Sequence, residues 1–331
     1  YVPDASRSVN AAQGLLSEQA AKYIADIEAD YEKVRTQHAN RKQVPLWPLA
    51  RARANKTPID WSGYTPPRPK FIGRRLFRNF DLAELAKYID WGPFFQTWDL
   101  AGAFPAILKD EVVGTEAVRV YADGQRMLKR LVEGRWLTAN AVLGFWPANS
   151  VRDDDIELYT DESRREVAMT WYGLRQQTVK EVVDGKQRPS RCLADFIAPK
   201  GVADDYIGMF AVTAGIGTEK KERYFLDDHD DYSAITLKAL ADRLAEAFAE
   251  ALHERVRRDL WGYAAGEALS LQDEIAEQYR GIRPAPGYPA CPDHSVKRDM
   301  FDLLQAGEVG IELTESMAMA PAASVGGFYF S

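Results

Sequence analysis

The sequence predicts an α+β fold: one large domain with a mixed or antiparallel sheet flanked by helices, a helical N-terminal segment and one long helix near 232–263. Three observations carry this. Apolar strand-like runs and helical periodicities alternate at irregular spacing, without the repeating strand–helix unit of a doubly wound sheet. Leu240, Leu244, Phe248, Leu252, Val256 and Leu260 recur every fourth residue, the stripe of a core-facing helix. The 331 residues are 46% hydrophobic and 27% charged, an ordinary globular composition in a chain long enough to bury a sizeable core.

Taken in order, residues 1–11 read as an entry linker. A helix follows from about Ser17 to Ala39, with Ser17 as N-cap and Ala20, Tyr23, Ile24, Ile27, Tyr31 and Val34 at helical spacing. Six prolines between Lys42 and Lys70 make that stretch a surface connector. Asp81 caps a short helix to Ile89, and a second helix runs from about Thr115 to Glu133. Strand-like runs occupy 140–146, 156–160, 166–171, 193–197 and 206–213. The long helix begins near Tyr232, with Asp230 or Asp231 as cap. A short helix at 271–279 is broken by the Gly/Pro-rich run 281–292. A helix over 296–305 and a strand-like run from Ile311 close the sequence.

Composition excludes several classes. A net charge of −7 and the lack of a basic tract argue against nucleic acid. No apolar run reaches membrane-spanning length. The start at Tyr1, without a charged and then apolar leader, suggests a piece of a longer polypeptide with no signal peptide. Two cysteines, Cys192 and Cys291, form no disulfide framework and fit a reducing, cytoplasmic setting. Cys291 with His294, and His229 among its aspartates, are poor zinc spacings, so no metal is expected. Gly215-Ile216-Gly217 lacks the third glycine of a dinucleotide loop.

The segment most suited to chemistry is Arg283-Pro284-Ala285-Pro286-Gly287-Tyr288-Pro289. Its prolines fix φ and remove N–H donors, so little entropy is lost when it binds something. Gly287 allows close backbone approach, Arg283 can grip a carboxylate through two parallel bonds, and Tyr288 offers a ring face and a hydroxyl. A plain connector between two helices fits the same residues. Asp242 and Glu246 stand four apart on one helix face, with His253 near the same stripe; a solvated acidic face fits them as well. Asp90 reads as a carboxylate at a helix C-terminus, unfavourable against the dipole.

RPAPGYPACPDH, with YIDW at Tyr88–Trp91, DEVVG at Asp110–Gly114, FWPAN at Phe145–Asn149, LRQQT at Leu174–Thr178, CLADFIAPK at Cys192–Lys200, ALADRLAEAFAE at Ala239–Glu250, LHERVR at Leu252–Arg257 and SVGGFYFS at Ser324–Ser331, resembles the reactivation domain of cobalamin-dependent methionine synthase in order and over nearly the whole chain. The opening VPDASRSV resembles the join to a preceding cobalamin-binding module, which places the domain at 12–331. The resemblance implies an S-adenosylmethionine-binding domain that serves reductive methylation of inactive cobalamin in methionine biosynthesis. It implies that Arg283 binds the methionine carboxylate, that the backbone of Ala285, Gly287 and Tyr288 holds the adenosyl part, and that Asp90 accepts from the ammonium. Glu246 is placed near the ligand, and Asp242 with Glu246 near the surface that meets the cobalamin module. No catalytic residue is implied, because the chain's work is positioning while the cofactors carry the chemistry. Cobalamin is held by the neighbouring domain of a methyltransferase that methylates homocysteine; electrons come from a flavodoxin-like or other flavoprotein, and no nucleic acid or membrane is involved. The family continues past the last residue here into a His-Pro run and two aromatics, and Ala320 stands where an aromatic is often seen. The alternative is a docking module for the electron donor with no ligand site of its own.

Overall fold

The structure, a computed structural model, describes residues 5–39 and 44–331, with the backbone alone over residues 5–10. The chain divides into two compact units, residues 1–47 and 48–331. The first contains helices α1 (Ala5–Leu16) and α2 (Ala20–Ala39). The expected helix from Ser17 is thus present, turned into by the Ser17 hydroxyl, which accepts the Gln19 N–H at 3.2 Å. Helix α1 stands where a linker was expected; residues 1–4 lie outside the described residues.

The second unit begins in the proline-rich connector, whose residues 42 and 43 also lie outside the described residues and which carries a short helix, α3 (Leu49–Ala54). Strand β1 (Gly73–Phe77) follows, and then α4 (Leu82–Leu85), which Asp81 caps by accepting the Ala83 N–H at 2.9 Å. A 3-10 turn, Ala86–Tyr88, leads to α5 (Gly92–Gln96) and α6 (Gly114–Glu133). Strands β2 (Thr138–Val151), β3 (Asp155–Tyr159) and β4 (Val167–Trp171) form a meander, followed by the small hairpin of β5 (Val182–Val183) and β6 (Lys186–Gln187). Strand β7 (Asp205–Ile216) runs into α7 (Thr218–Asp227) and α8 (Asp231–Arg255). Helices α9 (Leu271–Ile275) and α10 (Val296–Leu304), the hairpin of β8 (Glu312–Leu313) and β9 (Met319–Ala320), and strand β10 (Ser324–Tyr329) complete the order.

The main sheet is antiparallel, in the order β10-β7-β2-β3-β4, with β1 also paired to β2. Strand β2 is long enough to take β1 against residues 141–145 and β3 against residues 148–151 on one edge. Pro147 falls between those two partners, where no ladder bond from its missing N–H is required on that edge. Both faces of the sheet are covered. Phe210, Val212 and Ala214 of β7 enter a core with α4 to α8, while Ile207, Met209 and Ala211 enter a second core with α10, β3 and β4. The alternation of a strand therefore reads as a continuous apolar run.

The Leu240–Leu260 stripe is buried throughout, at most 2% exposed. Helix α8 is capped by Asp230, which accepts the Ser233 N–H at 2.9 Å. Its α-helical part ends at Arg255, not near Tyr263, because a π-helical turn at Val256–Leu260 widens the end. The turn carries Arg257 fully inside, where it donates to Glu267 at 2.6 Å and to Glu274 at 2.8 Å. Residues 193–197, expected as a strand, form a 3-10 turn at Leu193–Phe196 instead. Asp195 within it accepts the Cys192 N–H at 3.1 Å and two bonds from Arg175, a polar anchor that a strand would have turned away.

Asp205, at the start of β7, is 3% exposed and accepts the N–H groups of Ala198 and Tyr206 at 2.8 and 2.7 Å. Burial pushes its carboxyl up to about 6, against those bonds and the nearby Arg164. The folded state therefore holds the proton more tightly than the unfolded chain. This group's contribution to stability is full below about pH 4 and lost as pH rises through about 6, a change of up to about 3 kcal/mol. Asp205→Asn should remove that slope: measured by denaturant titration, the mutant should gain on wild type between pH 4 and pH 7. A mutant-to-wild-type difference that stays constant over this range would refute the assignment.

Candidate functional site

Helix α8 and the π-helical turn after it carry a polar stripe opposite the leucine stripe: Asp242, Glu246, Glu250, His253 and Arg257, at spacings of four, four, three and four residues. Asp242 is exposed, Glu246 and Glu250 are half-buried, and His253 and Arg257 are fully buried. The proline loop meets this stripe. Arg283 Nη2 donates to Glu250 Oε1, with the two side chains only 14% and 19% exposed. Glu246, one turn earlier, also acts on Arg283 through its charge.

The loop is held as an extra rung on β10. Ile282 and Phe330 exchange both backbone hydrogen bonds at 3.0 Å, and Pro284 C=O accepts the Phe328 N–H at 2.9 Å. Gly327 makes this approach possible: a Cβ there would lie 2.7 Å from the Pro284 carbonyl oxygen. Because alternate residues of an extended segment face opposite ways, the backbone of Arg283 and Ala285 points away from β10. Downstream, Gly287 N–H donates to Cys291 C=O at 2.8 Å and Cys291 N–H to Tyr288 C=O at 2.9 Å, which closes a tight turn. Gly287 has φ +99° and its Cβ position is filled by the His294 ring, so only glycine fits. Tyr288 projects outward, 64% exposed.

Beneath the loop lies a polar and aromatic floor. His253 stacks on Tyr329 with centroids 5.3 Å apart and meets Tyr279 edge-on at 4.7 Å. Burial, with Arg283 and Arg257 nearby, holds His253 well below its ordinary pKa and therefore neutral. Burial likewise raises the Glu250 carboxyl, opposed by Arg283. Arg283 Nη1, Glu250 Oε2, both His253 ring nitrogens and the Tyr329 hydroxyl are buried without a hydrogen-bond partner. Unpartnered buried donors and acceptors are costly, so their concentration at one place marks where a polar ligand can be satisfied.

Asp90 does not end a helix. It follows the 3-10 turn and accepts the Gly92 N–H at 2.9 Å, at the start of α5, where a carboxylate suits the dipole. Two residues earlier, Tyr88 donates to Glu254 at 2.5 Å, which ties this segment to α8 one turn beyond Glu250. The structure thus brings Arg283 against Glu250 and within the field of Glu246; Ala285, Gly287 and Tyr288 continue along the same loop, and Asp90 lies two residues beyond Tyr88, which bonds Glu254 of α8. Glu250 was missed, although the four-residue spacing from Asp242 and Glu246 extends directly to it. No group of three His, Cys, Asp or Glu side chains able to hold a metal ion, and no helix long and apolar enough to cross a membrane, occurs among the described residues. Cys192 and Cys291 are free and buried.

A stiff edge loop, a buried guanidinium with a free donor and a row of carboxylates make a candidate site, in an α+β domain, for a small ligand that carries both a carboxylate and positive charge. The family described as the activation domain of vitamin B12-dependent methionine synthase matches residues 81–331, and the chain belongs to it. A solved structure described as the MetH reactivation domain bound to AdoHcy is 50% identical, with a TM-score of 0.82, covering 87% of this chain and 87% of that one. The α+β architecture expected from sequence is that of this domain. As an activation domain the chain is part of a B12-dependent methyltransferase and works with the region of that enzyme that carries the corrin.

Proposed function

We propose that the chain binds S-adenosylmethionine along Arg283–Tyr288 and presents its methyl group to cobalamin held by a neighbouring module, residues 12–331 forming the domain and residues 1–11 its join to that module. The observation that carries this is the Arg283 guanidinium, buried beside Glu250 with Nη1 unpartnered at the foot of the loop. Held there by Arg283 and the loop, S-adenosylmethionine would supply an electrophilic methyl group for the cobalamin of the neighbouring module. Every remaining task belongs to the chain's side chains and backbone. Arg283 Nη1 donates to the ligand carboxylate. Asp90 accepts from the ammonium. The outward backbone groups around Ala285 and Gly287 bond the adenosyl part, and the exposed Tyr288 ring covers it. Glu246 favours the sulfonium by its field, and Asp242, exposed on the next turn, meets the cobalamin module. No proton needs to be moved, so no general base is assigned and the chain alone does not turn over. The electron donor is a flavodoxin-like or other flavoprotein, and the setting is cytoplasmic.

Titration calorimetry of the chain with S-adenosylmethionine tests this. Saturable one-to-one binding is expected, weakened by Asp90→Asn about tenfold as a charge-assisted bond is lost. Absence of any binding heat or thermal stabilisation by the ligand would favour the docking-module alternative.

A further inference from the structure

Arg283 has an unusual setting for a ligand-gripping arginine, because half of its fork is already in use. Its Nη2 donates to Glu250, while Nη1 is buried and free. The Glu250 side chain is itself only 19% exposed, and its second oxygen, Oε2, is buried and bonds nothing. The neighbouring rings add no charge, since His253 is neutral and Tyr329 is held far above its ordinary pKa by burial, and Glu246 acts on Arg283 only through its field. Glu250 is thus the only acid in direct contact with Arg283 among the described pairs.

We infer that Glu250 is a positioning residue for ligand binding: it holds one arm of Arg283 so that Nη1 points at the carboxylate of the ligand. This rests on the reading that Arg283 binds that carboxylate. A physical argument supports it. A guanidinium on a flexible side chain keeps a directional donor in one place only if another part of the fork is fixed, and the planar fork transmits that restraint to Nη1.

The test compares S-adenosylmethionine with its decarboxylated analogue, by calorimetry, on wild type, Glu250→Ala, Glu250→Gln, Arg283→Ala and the Arg283→Ala/Glu250→Ala double variant, with melting temperature as a folding control. Glu250→Ala should weaken S-adenosylmethionine about ten- to a hundredfold and leave the decarboxylated analogue within about twofold. Glu250→Gln, which keeps an acceptor for Nη2, should recover part of the loss, and it remains informative if the alanine variant does not fold. In the Arg283→Ala background, Glu250→Ala should add nothing. Equal losses for both ligands would reduce Glu250 to a structural role and overturn the inference. Tighter binding of S-adenosylmethionine by Glu250→Ala would show Glu250 to be a competitor for the fork and overturn it as well. If Arg283→Ala leaves affinity unchanged, the underlying site reading fails; if Arg283→Ala weakens binding and neither Glu250 variant does, only the inference fails.

Discussion

Arg283→Ala is expected to remove S-adenosylmethionine binding by ten- to a hundredfold or more, the loss of a charge-assisted grip worth about 1.5–3 kcal/mol. Arg283→Lys should fail almost as fully. A point charge on a flexible stem cannot hold Glu250 with one arm and a carboxylate with the other. Sequence alone suggests a surface arginine whose truncation spares the fold, and the structure changes that expectation. The side chain is only 14% exposed and is the ion-pair partner of a half-buried carboxylate. Its removal leaves Glu250 unpaired, at a cost of about 1–3 kcal/mol, moderated by proton uptake because burial already raises that carboxyl. The mutant should therefore melt lower and lose the thermal stabilisation that ligand confers on wild type. Unchanged affinity in Arg283→Ala would leave the proline loop as a connector, and the site assignment would fall with it.

Elements whose signal is local were legible. The α8 stripe repeats over more than five turns, and the loop announces itself through prolines whose φ is fixed in any context. Strand β1 was missed because Gly73-Arg74-Arg75-Leu76-Phe77 shows no alternation; it is a strand because β2 offers it an edge. Strand β2 was cut at Pro147 because a proline is a strand breaker unless its position needs no donor, and that depends on where β1 ends and β3 begins. Helix α7 has a single buried residue, Phe225, and so carries no stripe to read. In the site, Arg283 could be picked out by its loop, but Asp242, Glu246 and Glu250 are equivalent in spacing. Only tertiary placement selects Glu250 as the one that meets the guanidinium. Asp90 was misread for a related reason: the helix before it stops early, as a 3-10 turn, and its carboxylate belongs to the next one.

Arg175 shows the same limit in a structural role, and its replacement should give the largest loss of stability. Read as one letter of LRQQT, it is fully buried here and bonds Asp154 at 2.6 Å and Asp195 at 2.7 and 2.9 Å. It also donates to the carbonyls of Ser190 at 2.7 Å and Asp153 at 3.1 Å. These partners come from the β2–β3 turn, the segment before the Leu193–Phe196 turn and that turn itself, so one side chain joins three irregular segments. Asp195 further accepts the Thr57 N–H at 3.2 Å, bringing in the proline-rich connector. Arg175→Ala leaves buried Asp195 without its guanidinium and Asp154 with Arg53 alone, a change worth about 3–5 kcal/mol. Arg175→Lys should recover little, because one ammonium cannot span both carboxylates and two carbonyls. Arg53 provides the internal control. It bonds Asp154 at the same 2.6 Å, yet its side chain is 40% exposed. If burial sets the energy, Arg53→Ala should shift the denaturation midpoint little, since water replaces the lost partner. Equal shifts for the two alanine variants would mean that contact geometry, and not burial of the arginine and its partners, governs this cluster.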